Sequence, residues 1–280
     1  MSKIIIIGSS GFVGQAVVRH LNSLKVNVVE IDRHRFNQIL NEKESFQTIV
    51  SDSDSIIFSA AKVPAKNYDE FITNLNLVRD FVNIVQEVNF KYLLNISSDA
   101  VYGDSLNPLK ETDDLNATSL HGCMHIARET ILNLKFPGKV GHLRSTGIFG
   151  RGDKHKGYGP NLFLQSALES STIKLFGKGE ELRDHIYIND LVKLVTKMVQ
   201  TKLTEPLNAA TGNVISLLDL AIILQKLVPE TQIQFVPRIL DKMPHNGFRA
   251  IDTSKIKQLF PDFIPTDLTF ALTELVNTKA

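Results

Sequence analysis

The chain of 280 residues has a single cysteine, almost no excess of either charge and no long apolar run. Each scarcity removes a class of explanation. One cysteine, Cys123, excludes an intrachain disulfide and makes a reducing compartment, the cytoplasm, the expected home. With 31 basic against 30 acidic residues, the net charge of +1 offers no electrostatic footprint for nucleic acid or for an anionic membrane. The first apolar run, Ile4 to Ile7, is stopped by Gly8, too short for a signal-peptide core or a membrane span, and no later run reaches spanning length. No repeat recurs at a fixed period. The only low-complexity stretch, Ser51 to Ser55, reads as a polar loop. What is present is ordinary for a soluble globular protein: 43% apolar and 22% charged residues, ample for a buried core in one large domain or two small ones.

Short apolar runs alternate with helical patterns through the first half. Lys3–Ile7, Val26–Ile31, Ser55–Ser59, Tyr92–Ser97 and Lys139–Arg144 have the length and composition of buried parallel strands. Between them, Val13, Val17, Leu21 and Leu24 share one helical face, as do Phe71, Leu75, Val78, Val82 and Val85. Strands alternating with helices predict βαβ units in an α/β, Rossmann-like, doubly wound parallel sheet over residues 1–150. After about Phe149 glycine and proline cluster and elements shorten. Residues 151–280 read as a smaller C-terminal α+β substrate lobe, some of whose segments return to the sheet. It contains helices at Asn161–Leu168 and Asp190–Val199, a strand at His185–Ile188, and a helix capped by Ser216 with Asp219 three residues on.

Gly8, Gly11 and Gly14 lie between the first strand and the helix that begins near Val13. Glycines permit a tight turn and a close approach to a pyrophosphate, and the helix start supplies amide donors at a positive dipole end. Asp32 closes the second strand, where a carboxylate can accept from the adenosine ribose hydroxyls. The spacing predicts a dinucleotide site of Gly8, Gly11, Phe12, Val13, Gly14, Asp32 and Arg33. Asp32 favours NAD over NADP because it repels a 2′-phosphate, although Arg33 beside it is able to accept one.

In series, these and later segments resemble the extended short-chain dehydrogenase/reductases, in the nucleotide-sugar epimerase/dehydratase branch. Asp54 to Ala61 is similar to the strand whose small residues pass beneath the cofactor, which implies contacts from Ala60 and Ala61. Asn74 matches an asparagine of the next helix. Ser97 to Gly103 is similar to the serine-bearing strand end and puts Ser98 where the catalytic hydroxyl belongs. Asn161, and Arg183 in the segment from Gly177 to Asp190, match positions that meet the substrate diphosphate. The resemblance implies a nucleotide-sugar substrate and NAD, and a homodimer is compatible with it; nucleic acid and membrane are not among the implied partners.

The resemblance breaks at the catalytic helix. Gly122 and Glu129 keep the register, but the tyrosine and lysine of the family's Tyr-x-x-x-Lys pair are replaced by His121 and His125. The exchange is coherent chemistry: a phenol near pKa 10 needs about 4 kcal/mol of help to act at neutral pH, whereas imidazole starts at about 6.5. His121 is then expected to move the proton with Ser98, and His125, one turn on, to meet the nicotinamide ribose. The expected reaction is epimerisation or keto-reduction. A 4,6-dehydratase is less expected, because Ala100 follows Asp99 where those relatives have an acidic pair. Alternatives stay open at this level. The pair is also compatible with a catalytically silent NAD(H)-binding sensor or partner protein of the same fold. A metal at His121 and His125 lacks an apparent third ligand, with Cys123, Asp153 and His155 as the available groups. Tyr158, on a glycine-rich loop, is a second candidate phenol, whereas Tyr102 reads as structural.

Overall fold

The computed structural model describes residues 2–41, 45–153, 157–238 and 243–278. Short, mostly apolar runs form β1 (Ile4–Ile7), β2 (Val28–Ile31) and β3 (Ser55–Phe58), while β4 (Tyr92–Ser98) and β5 (Val140–Ser145) also bury the polar Asn95, Ser97, His142 and Arg144. Amphipathic α1 (Phe12–Ser23), α2 (Arg33–Leu40), α3 (Tyr68–Val85) and α4 (Leu120–Lys135) connect them. The five strands pair in parallel in the order β2-β1-β3-β4-β5, with Ile5 opposite Ile56 and Val29, and Leu93 opposite Val140. This is the α/β doubly wound arrangement that the alternation predicts. Strands covered on both faces are largely apolar, and Ile5, Ile56, Phe58 and Leu93 are fully buried with Phe81 and Val85 of α3 against them. Such a sheet places its functional crevice at the carboxyl ends of the strands.

The chain then forms β6 (Gly147–Phe149), α5 (Pro160–Glu169), β7 (Thr172–Phe176), β8 (Leu182–Tyr187), α6 (Ile188–Thr201) and β9 (Leu207–Ala209). After these come β10 (Val214–Ser216), α7 (Leu217–Leu227), β11 (Gln232–Val236), β12 (Phe248–Arg249), α8 (Ser254–Leu259) and α9 (Leu268–Asn277). β9 is the sixth strand in the order of the large sheet, beside β5. β8 is flanked by β10 and β12 and also pairs with β6, while β7 and β11 form a separate parallel pair. Ser216 caps α7, its hydroxyl accepting from the Asp219 amide at 2.9 Å. Among the described residues no helix is long and apolar enough to cross a membrane.

Two compact units emerge, and a single cut at residue 150 does not separate them. One comprises Met1–Gly103, Asp114–Ser145 and Val192–Leu207; the other comprises Asp104–Asp113, Thr146–Leu191 and Asn208–Ala280. The exchanges have local causes. Within the first unit the Tyr92 hydroxyl donates to the Leu203 carbonyl at 2.6 Å. A Cβ on Gly141 would lie 2.2 Å from that same carbonyl, so the returning segment lies directly on β5. Within the second unit Leu109 exchanges backbone hydrogen bonds with Ala250 and Asp252, and Glu111 accepts from the Asn208 amide at 2.8 Å.

Candidate functional site

The turn between β1 and α1 is shaped by its own backbone. Gly8 has φ +93°, and a Cβ there would lie 2.5 Å from the Ala60 nitrogen; one on Gly14 would lie 2.0 Å from the Gly8 carbonyl. These two glycines let the turn pack against β3 and against itself. Gly11 differs: its Cβ would meet only the Gly8 carbonyl at 3.3 Å. Gly11 is also the N-cap of α1, which has no side-chain cap and no acidic residue in its first turn. Elsewhere Asp32, Asn67, Ser119, Ser216 and Asp267 cap their helices with side-chain oxygens. An uncapped helix start beside an uncrowded glycine suits a pyrophosphate, with the amides of Phe12, Val13 and Gly14 as donors. Asp32 accepts from the Arg35 amide at 2.8 Å through Oδ1, a capping role for α2 that sequence reasoning had not assigned. Asn74 fixes the other wall: its amide accepts from Lys62 N–H and donates to the Lys62 carbonyl, both at 2.8 Å, just beyond Ala60 and Ala61.

The face of α4 carries the unusual chemistry. Ser119 caps the helix, and Gly122 lets it reach the 3-10 turn Asp99–Val101, since a Cβ there would lie 2.0 Å from the Ala100 carbonyl. That contact brings His121 beside the turn that follows Ser98. His121 and His125 meet edge to face with ring centroids 4.7 Å apart. His125, expected to meet a cofactor ribose, is 4% exposed and packs beside His121. Both rings bury an Nδ1 with no hydrogen-bond partner. Burial lowers the pKa of His121 while Asp99 pulls it back up, and burial, His121 and Arg128 together put His125 well below the usual imidazole range. The Ser98 hydroxyl is not bonded to His121; it accepts from the Ala100 amide at 3.1 Å and lies 3.4 Å from an Asp99 oxygen.

Beneath this face, Arg128 escaped sequence reasoning altogether, and Glu129, read there only as a register mark, has a further role. Glu129 is a buried hub: it accepts from the Ser97 hydroxyl at 2.5 Å and pairs with Arg144 at 2.7 Å, and Arg144 also donates to the Tyr102 hydroxyl at 2.9 Å. Tyr102 is structural, as its position at the strand end predicts. Arg128 is buried and donates to the Ala60 and Phe58 carbonyls at 2.8 and 2.7 Å. Its guanidinium lies 3.7 Å above the Phe58 ring. The i, i+4, i+7 spacing of His121, His125 and Arg128 was available in the sequence, but a lone arginine on a helix ordinarily reads as solvent-facing.

In the second unit Asn161 ties down its own loop, accepting from the Gly150 amide at 3.0 Å and donating to Asp153 at 2.5 Å. Arg183 donates to Glu181 at 2.8 Å, and Arg238, unnoticed in the sequence, donates to the same carboxylate at 2.6 Å. Arg238 also pairs with Glu180 at 2.9 Å, so the two arginines and two glutamates form a charge-balanced network. Tyr158 is corrected from candidate phenol to structural group. Its ring packs on Phe163 and Phe176, its oxygen accepts from the Phe176 amide at 2.8 Å, and burial raises its pKa. Among the described residues no three His, Cys, Asp or Glu side chains converge on a metal position, and His155 lies outside those residues.

Known proteins share this fold. The chain is 24% identical to UDP-glucuronic acid decarboxylase 4 of Arabidopsis thaliana over 92% of its own length, spanning 64% of that protein. It is 23% identical to dTDP-glucose 4,6-dehydratase 1 of Escherichia coli, covering 91% of this chain and 86% of that one. The structure superposes on UDP-glucose 4-epimerase of Thermus thermophilus, solved with NAD, with a TM-score of 0.83, 17% identity and coverage of 99% and 98% of the two chains. The sequence profile of the NAD dependent epimerase/dehydratase family matches residues 4–210, well over half of the chain. With the glycine turn, the parallel sheet and that match in agreement, this chain belongs to the NAD dependent epimerase/dehydratase family.

Proposed function

We propose that this protein binds NAD at the β1–α1 turn and reversibly oxidises a carbinol carbon of a nucleotide-activated sugar, leading to epimerisation or keto-reduction. NAD held there would supply hydride transfer to and from the carbinol carbon. The chain's own task is the hydroxyl proton. His121 is the acid/base: its neutral imidazole accepts the proton as the carbonyl forms and gives it back on reduction. The observation that carries this reading is the position of His121 at the start of α4, held against the turn after Ser98 by the Gly122 approach and kept neutral by burial. The Ser98 hydroxyl orients the substrate oxygen. Arg183, with Arg238 beside it, and Asn161 hold the nucleotide diphosphate. The relatives named above, a decarboxylase, a dehydratase and an epimerase, all act on nucleotide sugars by name, which supports the substrate class.

Calorimetry separates the parts. Gly11→Ala is expected to cost the fold about 1 kcal/mol or less, since only cap quality changes, yet to weaken NAD because the new methyl faces the pyrophosphate. Gly14→Ala is expected to lose both stability and NAD binding, its Cβ overlapping the Gly8 carbonyl. An unchanged NAD affinity in Gly11→Ala refutes the cofactor site. Arg183→Ala is expected to weaken binding of UDP or dTDP by about 1.5–3 kcal/mol, typical of a hydrogen bond to a charged partner. Wild-type affinity in that variant refutes the diphosphate assignment. A second reading, an NAD(H) sensor without turnover, draws on the Ser98 hydroxyl, which faces Asp99 and Ala100 rather than His121.

A further inference from the structure

Arg128 is an unusual place for a permanent charge. Its side chain is 1% exposed, and among the described residues no carboxylate is in ion-pair contact with it, Glu129 supporting its charge only through space. The adjacent Glu129 is engaged by Arg144 and Ser97 instead. A buried cation without a counter-charge is costly unless hydrogen bonds and a ring face replace water. Here the Phe58 and Ala60 carbonyls and the Phe58 ring do so in part, while Nε is buried without a partner. Burial lowers its pKa to about 9, so it remains cationic at neutral pH. Nothing in this arrangement favours arginine for packing alone.

Two further facts set its surroundings. The same face of α4 carries the unpartnered Nδ1 atoms of His125 and His121, three and seven residues before it. The carbonyl it grips, that of Ala60, belongs to the residue against which Gly8 of the turn is packed. We propose that Arg128 is a positioning residue of this site: a resident cation that keeps His125, beside His121, in its neutral form and clamps the chain just past β3 behind the glycine turn. A protonated imidazole next to it would add a second buried positive charge with no carboxylate in contact. The proton therefore stays off His125, and His121 remains able to accept one from substrate. The other charged or titratable groups around the pair are Asp99 in the turn after β4, Glu129 on α4, and His142 and Arg144 on β5. Glu129 and Arg144 neutralise each other, and the pKa of His142, with Asn95 and Asn133 on its two nitrogens, is brought down to about 4 chiefly by burial.

This inference refines the acid/base reading of His121, but its test needs neither NAD nor sugar. In ¹⁵N-histidine NMR titrations of the ligand-free chain, with resonances assigned by single His→Gln variants, the His125 midpoint is expected to lie well below 6.5. Arg128→Gln removes the charge while keeping an amide donor, and Arg128→Met removes both. Each is expected to raise the His125 midpoint by up to about two pH units, the effect of one charge about 6 Å away, the spacing of i, i+3 neighbours on a helix, at an effective dielectric near 20. Arg128→Lys is expected to stay near wild type. A folded Arg128→Gln or Arg128→Met with an unchanged midpoint overturns the proposal. So does failure of both to fold, which makes Arg128 a structural staple only. Failure here leaves the nucleotide-sugar reading standing, and failure of NAD or diphosphate binding leaves the titration intact.

Discussion

His121→Phe is expected to abolish turnover of the nucleotide sugar while leaving NAD affinity at the wild-type level. The phenyl ring keeps the edge-to-face packing on His125 but has no nitrogen to carry a proton. The cofactor turn is shaped by residues that His121 does not touch. The pH profile follows from the imidazole. Burial holds the folded pKa of His121 below 6.5, with Asp99 opposing. The base form is therefore complete above the usual imidazole value, and activity is expected to fall only as pH drops through the lowered one, on the acid side of 6.5. His121→Tyr is not expected to rescue, because its phenol, placed in the same buried position, has no lysine at 125 to lower its pKa. Full activity in His121→Phe, or an acid limb unaffected by removal of the imidazole, refutes proton transfer by His121 and favours the sensor reading if NAD still binds.

Glu129→Leu is expected to cost roughly 3–5 kcal/mol of folding stability, the usual penalty for stranding one partner of a buried ion pair. Glu129 and Arg144 are 3% and 5% exposed, so water cannot replace the lost partner. The Tyr102 hydroxyl, which accepts from Arg144 at 2.9 Å, carries no charge to balance the guanidinium. A double variant, Glu129→Leu with Arg144→Met, is expected to recover much of the loss, because neither charge is left buried. The pH dependence supplies an internal check. Burial opposes the Glu129 charge, but the Arg144 hydrogen bonds and charge outweigh it and keep the pKa below the ordinary carboxylate value. A lowered folded pKa means that the stabilisation is complete above the unfolded value near 4.5 and lost as pH falls through the folded one. The gap between wild type and Glu129→Leu in urea unfolding should thus narrow only below about pH 4.5. A loss under about 1 kcal/mol at neutral pH contradicts the geometry.

Much of this site could be read along the chain. Runs such as Ile4–Ile7 and Ser55–Phe58 announce buried strands by composition, and Gly8, Gly11 and Gly14 mark the turn by position alone. Gly122 and Glu129 held the register that put histidines where an acid/base pair belongs. Roles beyond these short-range signals were less visible. Ser98 was at the right strand end, but its hydroxyl bonds the turn beside it. Tyr158 sat on a glycine-rich loop, yet its oxygen completes the backbone of β7.

The sequence by itself determined the periodicities, caps and glycines that lay down a parallel α/β sheet and place two imidazoles one turn apart. Those are interactions among residues a few positions apart, so local rules capture them. Tertiary structure decided which polar groups lose water and what replaces it. Arg128 is cationic and buried because the Phe58 and Ala60 carbonyls, 70 and 68 residues earlier, come to meet it. Glu129 is a charged hub because Arg144 and Ser97 arrive from two neighbouring strands, and His125 is neutral because α4 turns it inward. Desolvation and long-range partners fix these protonation states, and neither is encoded in the neighbourhood of the residue that carries the proton.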